Sequence, residues 1–193
     1  MAIITRDSLR KKAQAKGFTK FASAQKLIKE SIEFSALKTY DVFLSHSYFD
    51  ADEIDVLYEE IKEMGFSVYI DWKEDRQLDR SNVTKETANT LRERMNVCKC
   101  LLFVTTSNSS NSKWCPWELG YLDGKKGKSA IFPVLEISTT TNDFTGTEFL
   151  GVYPYITKAT ISGTTKETLC VHENATTYVL LKEWLEGHKP SKH

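Results

Sequence analysis

Four short runs in this chain are apolar without the polar alternation of a half-exposed strand: Tyr40–Ser45, Phe66–Asp71, Cys98–Thr106 and Ser129–Ile137. Strands covered on both faces read this way, and the cover is ordinarily helical. The segments between the runs have helical spacing. Residues 50–64 place Ile54, Leu57, Ile61 and Met64 on one face, and Gly65 closes the helix. Ser81 is a candidate cap for a helix through Val97 that turns Val83, Ala88, Leu91 and Met95 inward. A third helix starts near Trp114 and runs to about Leu122. This alternation predicts an α/β fold, a parallel sheet of four to five strands flanked by helices. In such sheets ligands bind beyond the carboxyl ends of the strands. Those ends are Ser45-His46, Asp71-Trp72 and Thr105–Asn108.

The flanks are less patterned. Residues 1–38 read as a polar helical extension with Phe18, Phe21, Leu27, Ile28, Ile32 and Phe34 as a partial apolar stripe, broken at Gly17. The main domain then spans 39–193. Pro133 is expected to interrupt pairing of the fourth strand. Residues 138–176 are Thr-rich and irregular, and a last helix is expected over about Thr177–Glu186. The Lys125-Lys126-Gly127-Lys128 cluster reads as a solvated turn, and His172, His188 and His193 carry no evident role.

Composition narrows the function. The 26 basic and 26 acidic residues cancel, which argues against a broad nucleic-acid-binding face. The four cysteines include no C-x-x-C pair, so neither a zinc ribbon nor a redox pair is written here, and reduced thiols in the cytoplasm are expected. The first twelve residues have no apolar signal region, and the longest clean apolar run, Cys100–Val104, is far too short to span a membrane. The nine glycines form neither G-x-G-x-x-G nor a phosphate-binding P-loop; G-x-S-x-G and H-E-x-x-H are also absent. Dehydrogenase, P-loop NTPase, α/β-hydrolase and zinc-protease chemistries are poor fits.

Three segments carry a resemblance. Tyr40-Asp41-Val42-Phe43-Leu44-Ser45-His46-Ser47 resembles the first strand of the Toll/interleukin-1 receptor (TIR) domain family, and Gly65-Phe66-Ser67-Val68-Tyr69-Ile70-Asp71 its second. Ser112-Lys113-Trp114-Cys115-Pro116-Trp117-Glu118-Leu119 is similar to the family's S-x-W-C-x-x-E-L box. In this order, one βα unit apart, they are specific, and they cover about residues 39–137. The architecture as a whole resembles the bacterial TIR proteins of Thoeris antiphage defence. The loop Trp72–Arg80 departs from the R-D-x-x-P-G pattern of many signalling members, having neither Pro nor Gly, which weakens an adaptor-type docking role.

The resemblance implies a flavodoxin-like fold and a cytoplasmic enzyme that cleaves the nicotinamide–ribose bond of NAD+. NAD+ would be its substrate, with no further cofactor and no metal. A cyclic ADP-ribose-type product would reach a separate effector by diffusion, and TIR self-association is a further expectation. The alternatives are a plain NAD+ hydrolase and a non-catalytic TIR scaffold. Glu118 is the expected catalytic residue. Pro116 is tolerated only in a first helical turn, so Glu118 sits one turn in, on the face of Trp114, with Ser112 a candidate cap. A carboxylate there is favoured in its ionised form and can meet ribose hydroxyls and developing positive charge. Nicotinamide leaves as a neutral base, so the partner acid that glycosidases employ is not required. Expected substrate contacts are Ser45, His46, Asp71, Trp72, Trp114 and Trp117. The two box tryptophans serve equally well as core or as flat faces for a base, and His46 as a loop hydrogen-bonder or a substrate contact.

Overall fold

The computed structural model of the chain describes residues 1–18, 38–71, 84–109, 112–136 and 143–193. Trp72 and the loop to Arg80, the Ser81 cap with Val83, and Phe21, Leu27, Ile28, Ile32 and Phe34 lie outside the described residues.

The elements run β1 (Ile4–Thr5), α1 (Arg6–Ala15), β2 (Tyr40–Ser45), α2 (Ala51–Glu63), β3 (Val68–Tyr69), α3 (Lys85–Asn96), β4 (Cys98–Thr105), α4 (Cys115–Lys126), β5 (Ser129–Leu135), β6 (Tyr155–Thr160), β7 (Glu167–Asn174), β8 (Thr177–Leu180), α5 (Leu181–Leu185) and β9 (Ser191–Lys192). The sheet order is β3-β2-β4-β5-β6-β7-β8-β9, parallel from β3 to β6 and antiparallel beyond. The run β3-β2-β4-β5-β6 has the flavodoxin-like order 2-1-3-4-5, and β1 adds a further parallel pairing to the end of β5.

Each face of the parallel sheet has its own core. On one side Val42, Leu44, Cys100, Leu102, Val104 and Phe132 meet Leu9 of α1 and Ile54, Leu57 and Ile61 of α2. On the other, Phe43, Leu101, Phe103 and Ile131 meet Leu91 and Met95 of α3, Leu119 and Leu122 of α4, and Trp114 just before α4. The even–odd split along β2 and β4 is the strand period at work, and burial on both sides explains why no polar alternation shows. The helix through 50–64 ends as the sequence predicts: Gly65 takes φ +94° and the Phe66 amide donates to Ile61 O at 3.3 Å. Thr84 caps α3, its Oγ1 accepting from the Thr87 amide at 3.1 Å.

Several expectations change. The second strand shortens to Val68–Tyr69. Pro133 does not break the sheet: it is the last β5 residue in register with β4, opposite Thr105, and beyond it Val134 and Leu135 pair with Ile4 and Thr5 of β1. Within the stretch read as irregular and as a long last helix, Tyr155–Thr160, Glu167–Asn174 and Thr177–Leu180 instead form the meander β6-β7-β8; Glu148–Val152 make a short 3-10 turn, and the last α-helix is only Leu181–Leu185. The many threonines there are strand formers. The lysine turn is anchored: Lys126 Nζ donates to the carbonyls of Cys98 and, at 2.8 Å, Asn96, while Lys128 Nζ donates to Trp184 O at 2.5 Å.

His172, read as inert, is fully buried in an aromatic ladder across the meander. Its ring stacks between Tyr155 and Tyr178, with centroids at 5.1 and 5.0 Å. Nδ1 donates to Asn174 O at 3.2 Å, so Nε2 accepts from Thr157 Oγ1 at 2.8 Å, and the neutral ring is satisfied on both sides. Burial pushes its pKa below the ordinary histidine value. The unfolded chain therefore binds the extra proton first. Stability is intact above about pH 6.5 and falls as pH drops from there toward the folded-state value, by at most about 1.4 kcal/mol per pH unit from this residue. Urea unfolding at pH 7 and pH 5 is expected to show the fall, and His172→Gln to make it shallower.

Candidate active site

Between β2 and β3 the chain moves one way along the sheet; it then crosses back over β2 to enter β4. The loops leaving β2 and β4 consequently diverge at the carboxyl ends of two adjacent strands, where a crevice forms in folds of this type. Ser45, the last residue of β2, is in register with Phe103 of β4 and shares the face of Phe43, toward α3 and α4.

The start of α4 is set locally. Ser112 Oγ accepts from the Cys115 amide at 3.2 Å, and Glu118 N donates to Trp114 O at 2.8 Å. Pro116 sits in the first turn, where its missing amide costs nothing. Glu118 is thereby turned onto the sheet rather than to solvent, at 0% exposure. Ser45 Oγ, equally buried, donates to Glu118 Oε2 at 2.7 Å. A sealed carboxylate needs such support, since burying the charge unpaired is costly. The helix N-terminus adds favourable potential.

The loop after β2 is held against the same helix. The Cys115 thiol, fully buried, donates to His46 O at 3.1 Å. His46 Nδ1 donates to Leu44 O at 2.7 Å, which turns Nε2 toward Asp71, 3.7 Å from Oδ1. That separation is an ion pair when the ring is protonated and too long for a hydrogen bond otherwise. Glu118, Ser45, His46, Cys115 and Asp71 thus come together at one end of the sheet. Trp114 is built into the core beside them. Trp117, half-buried, meets Trp114 edge-on at 5.4 Å; Tyr121 stacks on it at 5.8 Å, and the Arg92 guanidinium lies 5.2 Å from its ring centre. Trp72 lies outside the described residues. Among the described residues no cluster of three or more His, Cys, Asp or Glu could hold a metal ion, and no helix is long and apolar enough to cross a membrane.

Two residues at the strand exits were not singled out from sequence. Asp50, at 1% exposure, accepts from Thr106 Oγ1 and Asn108 Nδ2, both at 2.6 Å, and binds Arg6 Nη2 at 2.7 Å. Asp50 precedes α2 and reads locally as an ordinary helix-start carboxylate. Arg6 has no local signal at all, because its partners lie 44 and more residues away.

The sequence model of the TIR domain family matches residues 42–156. A Bacillus cereus (strain MSX-D12) protein named "Probable 3' cyclic ADP-D-ribose synthase ThsB'" is 46% identical over 170 residues, 88% of each chain. A Cytobacillus dafuensis protein provisionally named cyclic ADP-D-ribose synthase TIR2 is 38% identical over 93 residues, 48% of this chain and 24% of that one. Among solved structures, the TIR domain of the Toll-related receptor TRR-2 from Hydra magnipapillata aligns over 53% of this chain and 75% of its own, with a TM-score of 0.39 and 16% identity. The matched span runs from β2 into β6 and contains the helix that carries Glu118; the chain belongs to the TIR domain family.

Proposed function

We propose that this chain is a TIR enzyme of antiphage defence that cleaves NAD+ at the nicotinamide–ribose bond and closes the product into a cyclic ADP-ribose-type nucleotide. The observation that carries the reading is the Glu118 carboxylate, sealed at the carboxyl end of β2 and held by the Ser45 hydroxyl at 2.7 Å. The relationship at 46% identity to a protein whose name is that of a 3′ cyclic ADP-ribose synthase supports the same chemistry.

As the glycosidic bond stretches, positive charge grows on the ribose, and a fixed anion in a dry site stabilises it far more than it would in water. Glu118 supplies that anion, and Ser45 sets its rotamer. His46 and Asp71, beside Glu118 at the same strand ends, contact the nucleotide once the site opens. Trp114 packs in the core next to them, and the half-buried Trp117, with Trp72, offers a flat face to a base. Burial of the carboxylate also excludes water, which favours capture of the cation within the same molecule over hydrolysis. A carboxylate at 0% exposure reaches substrate only after its cover moves, which suits an enzyme switched on by infection or by TIR self-association. NAD+ is a substrate here, with no resident cofactor. The product diffuses to a separate effector. The four buried cysteines, none of them in a disulfide, fit a reducing cytoplasm.

Incubation of the purified protein with NAD+ and mass analysis of the products test the reading. A cyclic ADP-ribose isomer is expected. Linear ADP-ribose alone would reassign the chain as an NAD+ hydrolase, and intact NAD+ in extracts of phage-challenged cells expressing it would make it a scaffold. Ser45→Ala, which frees the carboxylate from its charge-assisted hydrogen bond, is expected to lower kcat about 10-fold with an unchanged product.

A further inference from the structure

We infer that Arg6 is a positioning residue for the Glu118 site, and that the segment carrying it, which precedes the 42–156 span of the family match, is a working part of the catalytic unit. The inference rests on the reading of Glu118 given above. Ile4 and Thr5 pair with Val134 and Leu135 at the far end of β5, and Ala2 exchanges both backbone hydrogen bonds with Lys158 of β6, at 2.7 and 2.9 Å. This pairing delivers the first residue of α1, Arg6, to the carboxyl ends of the strands.

There the guanidinium is nearly sealed, its side chain 9% exposed. Its fork spans the exits of three strands. Nη2 donates to Asp50 Oδ1 at 2.7 Å and Nε to Glu53 Oε1 at 3.1 Å, both beyond β2; Nη1 donates to Ser107 Oγ at 2.6 Å beyond β4 and to Glu136 Oε1 at 3.0 Å beyond β5. From Asp50 the hydrogen bonds continue without a break to α4. Thr106 donates to Asp50, and its amide donates to Ser109 Oγ at 3.1 Å. The Ser112 amide donates to Ser109 O at 3.1 Å, and Ser112 accepts from the Cys115 amide one turn before Glu118. The Cys115 thiol closes the ring on His46, beside Ser45.

Anchoring α1 does not require this arrangement. Leu9 and Ala13 already bury its apolar face, and Lys12 pairs with Glu60 of α2. Lys12 therefore serves as the control: a buried-partner ion pair of the same helix that touches no strand-exit loop. A planar five-donor fork can tie three exits at once, which a single ammonium cannot. A small shift at the helix start moves the carboxylate off its station, and misplacement on that scale costs about 10- to 100-fold in rate.

The test compares Arg6→Gln, Arg6→Lys and Lys12→Gln in the full chain, well below their unfolding temperatures, by amide hydrogen exchange and by NAD+ turnover. Expected for Arg6→Gln is lost protection at the amides of residues 106–109, 115, 117 and 118 and a kcat lower by about 10- to 100-fold, with KM within about threefold. Arg6→Lys, which keeps the charge and secures the fold, is expected to show the same pattern more weakly. Lys12→Gln is expected to keep both protection and kcat. Unchanged protection at those amides in Arg6→Gln, or equal losses in Arg6→Gln and Lys12→Gln, would overturn the proposal. If the wild type turns over no NAD+, the exchange arm alone decides the role of Arg6, and the failure belongs to the assigned reaction.

Discussion

Glu118→Gln is expected to abolish NAD+ cleavage, by at least about 10²- to 10³-fold, in a protein that still folds. The substitution keeps volume and leaves an amide oxygen to accept from Ser45 Oγ, so packing around the 2.7 Å contact survives. What disappears is the negative charge that meets the ribosyl cation. Because a fully buried carboxylate is replaced by a neutral group, the thermal midpoint should stay level or rise. That pairing of lost turnover with retained stability separates a chemical role from a structural one. Stopped NAD+ assays and differential scanning calorimetry on the same preparations provide both readings. A variant that loses activity only in step with its melting temperature would assign Glu118 to scaffolding.

The second large effect concerns stability. Asp50→Ala is expected to cost about 3–5 kcal/mol, because it removes the one carboxylate that accepts from Arg6 Nη2, Thr106 Oγ1 and Asn108 Nδ2 and leaves those three donors unmet, although Arg6 keeps Glu53 and Glu136. For a chain of this length that is a fall of roughly 6–20 °C in the midpoint. The exposed pair Asp7–Lys11, with side chains 67% and 74% exposed, is the internal comparison, and Asp7→Ala should change stability by less than about 0.5 kcal/mol. Thermal melts of both variants check the contrast. Equal small shifts would mean that the strand-exit network contributes little to folding.

The parallel half of the fold was legible because its physics is local. Strands buried on both faces read as apolar runs, and α2 declares itself through Ile54, Leu57 and Ile61. The antiparallel half was not. Leu180, Trp184 and Leu185 mimic a helical stripe that runs back through Val179, yet Val179 pairs with Val171, and Tyr178 with His172. Local spacing cannot reveal a partner strand, and His172 reads as isolated until β6 and β8 bring tyrosines to both its faces.

The site divides the same way. The turn that buries Glu118 follows from Pro116 and Ser112, both adjacent in sequence. Its hydrogen bond to Ser45 joins residues 73 apart: the strand-end rule marks Ser45 and the family box marks Glu118, but nothing local pairs them. Arg6 and Asp50 are 44 apart, and an arginine in a helix that also carries Arg10, Lys11 and Lys12 looks like any solvated charge. Long-range pairing of charges leaves no periodic trace.

A structure of the protein with a non-cleavable carbocyclic NAD+ analogue is the most direct measurement. A Glu118 oxygen is expected at hydrogen-bond distance, about 2.6–3.2 Å, from a hydroxyl of the nicotinamide-bearing ring, with Ser45 beside it. An analogue bound elsewhere, with the carboxylate still sealed beneath its cover, would contradict it.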